Sequence, residues 1–227
     1  MKNNQHPLLC SHNTFTYCKP RKWYHYFYIP FARCQNKNIF NQIDEGIQVF
    51  DIRVRFDNET GNVILCHGLF EVELEITVER FDKFEKTTEF NAKEFAEYLC
   101  LITKLSPDKQ FYFRLILETS KANFYQEVQF FKFCKYFYKQ IEEQYNIGLL
   151  CCVRKFDWKC LFDITKISYL TEFQHISSYP AYKESIKPRF YERICPWLYA
   201  KRTNKKYKYN FNQGLYNHYD YISYDFV

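Results

Sequence analysis

A chain of 227 residues, 47% hydrophobic and 26% charged, is long enough to bury one sizeable core and short for two domains. Its formal charge of +6 favours encounters with phosphates, on lipid surfaces or nucleic acids, and is too small to choose between them. No apolar run reaches membrane-spanning length, which excludes a helical membrane span.

The segment Met1–Cys10 also lacks a signal-peptide pattern, so the expected location is cytoplasmic, with any membrane contact peripheral. Ten cysteines spread from Cys10 to Cys195 with no Cys-x-x-Cys spacing. That pattern gives zinc ligation no support and makes reduced thiols the simplest expectation. No repeat or Pro/Gly-rich linker divides the chain, and residues 1–227 are read as one domain.

In chain order, Leu8–Ser11 predicts a short buried strand that ends just before His12. The aromatic run from Trp23 to Phe31 follows. Such rings suit a membrane interface, although ordinary packing is the simpler expectation. Asn38–Glu45 predicts a short helix, Gln48–Val54 a strand, and Val63–Cys66 a strand that runs into His67. Ala92–Lys104 predicts a helix with Phe95, Ala96, Leu99 and Ile102 inward. Phe111–Leu117 reads as a strand ending at Glu118. Ala122–Tyr145 predicts the longest helix, with Phe124, Val128, Phe131, Cys134, Tyr138 and Ile141 on its buried face. Lys159–Ile164 and Trp197–Lys201 are weaker strand candidates, and Tyr221–Phe226 closes the series. Strands alternating with helices imply an α/β fold built on a parallel sheet or barrel.

The chemistry concentrates early. In an extended Gln48–Val54, Asp51 and Arg53 share a face with Val49, while Phe50, Ile52 and Val54 take the other. An acid and a base aimed into a parallel-sheet interior are costly unless paired or used. His12 and His67 end neighbouring strands, and in a barrel the strand C-termini gather at one mouth, where active sites are built. Two imidazoles beside an Asp-x-Arg suit cleavage of a phosphodiester by a neighbouring hydroxyl. One imidazole takes the hydroxyl proton, the other protonates the leaving oxygen, and Arg53 draws off negative charge.

The run Ser11-His-Asn-Thr-Phe15, then Arg33-Cys-Gln-Asn-Lys-Asn-Ile-Phe-Asn-Gln-Ile-Asp-Glu-Gly-Ile-Gln-Val-Phe-Asp-Ile-Arg53, then Cys66-His-Gly68, resembles the X region of phosphatidylinositol-specific phospholipases C, most closely the metal-independent bacterial and trypanosomal branch. The resemblance covers roughly the first third of the chain, with Glu118 and Asp225 falling where two later barrel strands of the family end. It implies a small TIM-type (β/α) barrel. It implies His12 as general base for an inositol hydroxyl and His67 as general acid for diacylglycerol. Arg53 would bind the phosphate, Asp51 would assist at the leaving group, and Asp225 would orient His12. The implied product is a cyclic phosphodiester, and the implied substrate a phosphoinositide or a glycosylated relative.

The sequence departs from that branch at Asn13, where its members carry Asp. Asn13 and Glu118 are also candidate substrate contacts. With Asp51 they would supply three oxygen donors for calcium, which the calcium-dependent branch uses. Arg53 stands where that branch has a further acid, and its charge repels a cation, so no metal cofactor is expected. His175 is read as a surface or core residue rather than a catalytic one, and Cys66 is given no reactive role.

Two other classes stay open. Ribose also sets a hydroxyl beside a phosphodiester, so RNA or a nucleotide would suit the same two histidines. Lys201, Arg202, Lys205, Lys206 and Lys208, interleaved with Tyr207 and Tyr209, would then meet phosphates and bases. The third class is a non-catalytic binding protein on the same scaffold, against which His12, Arg53, His67 and Asp225 together argue.

Overall fold

A computed structural model describes residues 8–119, 123–141, 147–153, 178–180 and 221–224. The expected mixed α/β fold is what it contains, on a sheet of nine described strands. They are β1 (Leu8–Ser11), β2 (Lys19–Pro20), β3 (Val49–Phe56), β4 (Val63–His67), β5 (Phe70–Glu73), β8 (Phe111–Leu117), β9 (Ile147–Val153), β10 (Ser178–Pro180) and β11 (Tyr221–Tyr224). A separate hairpin pairs β6 (Ile76–Arg80) with β7 (Lys83–Thr87). The helices are α1 (Ile29–Ala32), α2 (Ile39–Asp44), α3 (Ala92–Lys104) and α4 (Phe124–Ile141), with a 3-10 turn over Trp23–Tyr28.

Six strands run parallel in the order β10, β11, β1, β3, β8, β9. β3 lies at the centre because its two faces are both buried, as its sequence demands. Phe50, Ile52, Val54 and Phe56 join Phe113, Leu115 and Leu117 of β8 in the main core, under Phe95 and Leu99 of α3 and Phe130, Phe133 and Phe137 of α4. Val49 turns the other way and meets Cys10 and Tyr112 in a second, smaller cluster. Asp51 and Arg53 alternate with the apolar set, so they share Val49's face.

α3 starts on a capping box. Asn91 accepts from the backbone N–H groups of Lys93 and Glu94, and Glu94 accepts in return from the Asn91 N–H. Gln126 of α4 clamps the end of β3, accepting from the Phe56 N–H at 2.8 Å and donating to its carbonyl at 2.6 Å.

Three expectations need correction. The long helix buries Gln126, Phe130, Phe133, Cys134, Phe137 and Ile141, while Phe124 and Phe131 are 83% and 44% exposed. The buried face is therefore turned by about one residue, roughly 100°, from the face the spacing suggested. That helix is aromatic on most sides, so its own pattern fits two faces, and packing against Phe56, Phe95 and Phe113 selects one. The strand carrying His67 is antiparallel to β3, not one of a parallel set. The aromatic segment after β1 packs only in part: His25 is buried, but Trp23 and Phe27 are 75% and 73% exposed. The weaker strand candidates Lys159–Ile164 and Trp197–Lys201 lie outside the described residues, as do His175 and the late Lys/Tyr cluster.

Candidate active site

The site forms at a gap in the sheet. β8 pairs with β3 along one edge from Val49 to Val54. The opposite edge is shared: β1 pairs with Val49 and Phe50, whereas β4 pairs with Val54 to Phe56. Asp51, Ile52 and Arg53 thus lie between two strand ends. β1 approaches from one direction and releases the chain at Ser11, one residue before His12. β4 approaches from the other and ends at His67. The antiparallel return, rather than a common strand direction, is what brings the second histidine to the first. Their ring centroids are 5.6 Å apart and the planes nearly perpendicular.

Backbone geometry holds both rings. Asn13 takes a left-handed conformation (φ 50°), which Asn tolerates better than most residues, and turns the chain directly after His12. Thr14 N–H then donates to the Asp51 carbonyl at 2.9 Å, and Gln35 donates from Nε2 to the His12 carbonyl at 3.0 Å. On the other side Gly68 (φ 59°) reverses the chain after His67, and its N–H donates to Glu118 Oε1.

Arg53 is the hub. Its Nε and Nη2 donate to the two oxygens of Asp51 at 3.3 and 3.1 Å, and Nη1 donates to Glu118 Oε2 at 3.4 Å. Nη2 also donates to Nε2 of His12 at 2.7 Å. A guanidinium has no lone pair to offer, so Nε2 of His12 is the acceptor and the neutral ring carries its proton on Nδ1. Asn13 Nδ2 donates to the same Nε2 at 3.2 Å. His67 is oriented from Nδ1, which donates to the Ala32 carbonyl at 2.8 Å, with Cys34 Sγ 3.6 Å from that nitrogen.

Asp51 is fully buried, and burial by itself raises a carboxyl pKa. The charges of Arg53 and Arg114 outweigh it and hold Asp51 well below the usual carboxylate range. Arg53, although buried, is held above its ordinary value, chiefly by Asp51 and then by Glu118. Arg114 stands 3.7 Å from Asp51 and directly beside it in the β3–β8 register. Two carboxylates and two guanidiniums therefore balance one another beside the imidazoles.

Every described candidate converges here: His12, Asn13, Asp51, Arg53, His67 and Glu118. Asp225 lies outside the described residues, following β11, whose Tyr224 pairs with Ser11. Sequence reasoning missed Arg114 and Cys34. A lone cation inside the apolar run Phe111–Leu117 was a usable signal for Arg114. Cys34 carried none, since nothing local separates it from nine other cysteines. Cys66, next to His67, is buried and pushed up to about 12 by that burial, so it stays a thiol. Among the described residues Cys10, Cys18, Cys34, Cys66, Cys100 and Cys134 form no disulfide.

The oxygen donors do not fit calcium. Asp51 and both oxygens of Glu118 are engaged by Arg53, Arg114 and the Gly68 N–H, and a cation placed among them would face two guanidiniums. Asn13 Oδ1 is buried without a hydrogen-bond partner and supplies only one oxygen.

No family model and no curated protein matches this chain. Solved structures do. The F249X variant of phosphatidylinositol-specific phospholipase C from Staphylococcus aureus aligns with TM-score 0.60 and 11% identity, over 98% of this chain and 87% of that one. The phosphatidylinositol-specific phospholipase C from Listeria monocytogenes aligns with TM-score 0.55 and 13% identity, over 98% of this chain and 89% of that one. At such identities the match establishes the fold: this chain has the TIM-barrel-like α/β fold of those proteins.

Proposed function

We propose that the protein is a metal-independent phosphodiesterase that cleaves phosphatidylinositol or a related inositol phospholipid by intramolecular attack. The observation that carries this reading is the pair of imidazoles, 5.6 Å apart, with the Arg53 guanidinium hydrogen-bonded to one of them. His12 accepts the proton of the inositol 2-hydroxyl on Nε2, the nitrogen that carries the lone pair. The freed oxygen attacks phosphorus and the bond to the diacylglycerol oxygen breaks. His67, entering as imidazolium, protonates that oxygen, and a cyclic phosphodiester is left.

Arg53 turns from His12 to the non-bridging oxygens and stabilises their growing charge. Asp51 holds the guanidinium fork at its rear edge, and Glu118 ties the same fork to the turn after His67. Asp225 is the positioning residue for Nδ1 of His12, a role supported by the place of β11 beside β1. Arg53 does here the charge work that calcium does in other enzymes, which is why no metal is required. The exposed rings of Trp23, Phe27 and Phe31 form the surface that meets the lipid.

Purified protein should release a cyclic inositol phosphate from phosphatidylinositol vesicles, in chelator, as read by the phosphorus resonance of the product. His12→Ala and His67→Ala should each lower turnover by about 10² to 10⁴. Cleavage of RNA but not of vesicles, or turnover indifferent to His12→Ala, overturns the assignment.

A further inference from the structure

Among the described residues one group of side chains has the make-up of a transition-metal site: His12, Cys34 and His67 each offer a ligand atom, and the three atoms lie within 4.8 Å of one another. None of the short-range sequence patterns of zinc proteins is present, because the three come from different segments, 22 and 33 residues apart along the chain. The fold assembles them. Cys34 enters on the segment after α1, where its N–H and that of Gln35 both donate to Thr16 Oγ1, at 2.9 and 3.0 Å.

We infer that His12, Cys34 and His67 bind a soft or borderline divalent ion, zinc being the natural occupant, and that this occupancy switches the enzyme off. A tetrahedral site with Zn–S of about 2.3 Å and Zn–N of about 2.0 Å has ligand–ligand edges of roughly 3.5 Å. The three ligand atoms already lie within 4.8 Å of one another, so closing the widest separation needs a movement of about 1 Å, within reach of side-chain torsions.

Supporting contacts of the kind that orient metal ligands are also in place. His67 donates from Nδ1 to the Ala32 carbonyl, which fixes its ring. Asn13 Nδ2 donates to the Cys34 sulfur at 3.7 Å, which favours the thiolate. Binding forms one bond from sulfur and one from each imidazole, and the thiol proton passes to solvent. Arg53 gives up one hydrogen bond to His12 and keeps those to Asp51 and Glu118. Its charge, which repels calcium among hard oxygens, is offset here by the thiolate carried to the ion.

The fourth position stays open to water, but the ring nitrogens that move protons are occupied. The inhibitory consequence rests on the catalytic reading of His12 and His67; the site itself does not.

Cobalt titrated into reduced, metal-free protein reports the site directly. The expected signal is a thiolate-to-cobalt charge-transfer band with visible bands of tetrahedral intensity, saturating at one equivalent and abolished by zinc. Cys34→Ala and His67→Gln should each weaken binding about ten-fold or more. Absence of the band in wild type, or a band undiminished in both variants, overturns the proposal, and the wild-type spectrum decides even where Cys34→Ala does not fold. On vesicles, one equivalent of zinc should stop turnover and chelator restore it. Turnover without a cobalt band defeats this inference and leaves the lipase reading standing. A cobalt band without turnover on any phosphodiester does the reverse.

Discussion

Asp51 is the residue on which the site's electrostatics depend. A carboxylate with no exposure is tolerated because Arg53 grips both of its oxygens and Arg114 stands across the strand pair. Its folded-state pKa is depressed, so the stability it contributes is fully present above the ordinary carboxylate value of about 3.9 and is lost as pH falls below that. Urea midpoints measured from neutral pH downward should therefore drop on the acid side in wild type. Asp51→Asn should flatten that limb and cost about 3 kcal/mol or more at neutral pH, because Arg53 and Arg114 lose the charge that compensates them. An acid limb identical in both proteins would show that Asp51 is not held ionised. At this scale the sequence was informative: Asp51 and Arg53 stood out as charges in an apolar strand, and both histidines as strand-end imidazoles.

Among the elements, α4 shows where periodicity stops being decisive. Phe124, Phe130, Phe131, Phe133 and Phe137 place aromatic rings around most of its circumference, so steps of three and four can be traced along more than one face. Rings on β3, β8 and α3 settle the choice: Phe133 meets Phe56 of β3 at 6.5 Å and Phe95 of α3 at 5.5 Å, and Phe137 lies edge-on to Phe113 of β8 at 5.1 Å. Two truncations separate the faces. Phe133→Ala should cost about 3 to 5 kcal/mol in a denaturant melt, whereas Phe131→Ala should stay near about 0.5 kcal/mol. Comparable losses at the two positions would mean that the helix docks on the other face. α3 posed no such ambiguity, since Phe95, Ala96, Leu99 and Ile102 form its single apolar stripe and all four are buried.

For the whole molecule, the net charge of +6 and the exposed aromatic turn are expected to act together at an anionic bilayer. His25 is buried, packs on Phe70 of β5 at 6.3 Å and accepts from the Glu71 N–H at 3.4 Å, which anchors the turn and leaves Trp23 and Phe27 outward. Each buried ring contributes about 1.5 to 3 kcal/mol, so Trp23→Ala with Phe27→Ala should weaken partition onto phosphatidylinositol vesicles at least about ten-fold. The loss of activity should be larger on vesicles than on a monomeric short-chain substrate. Raising salt from about 0.1 M to about 1 M should weaken the wild type further, through screening of the charge component alone. Vesicle binding untouched by the double substitution would assign the lipid surface elsewhere.

What the sequence determined by itself was local: strand and helix periods, an acid and a base inside an apolar strand, and a histidine at the end of each of two apolar runs. Such features depend on residues a few positions apart, and the chain carries them wherever it goes. Tertiary structure decided everything that depends on which segments meet. It turned β4 back along β3 so that His67 faces His12, chose the buried side of α4, set Arg114 beside Asp51, and delivered Cys34 to the two imidazoles. These are contacts between distant segments, selected by how apolar faces fit across the sheet, and no spacing within a single segment encodes them.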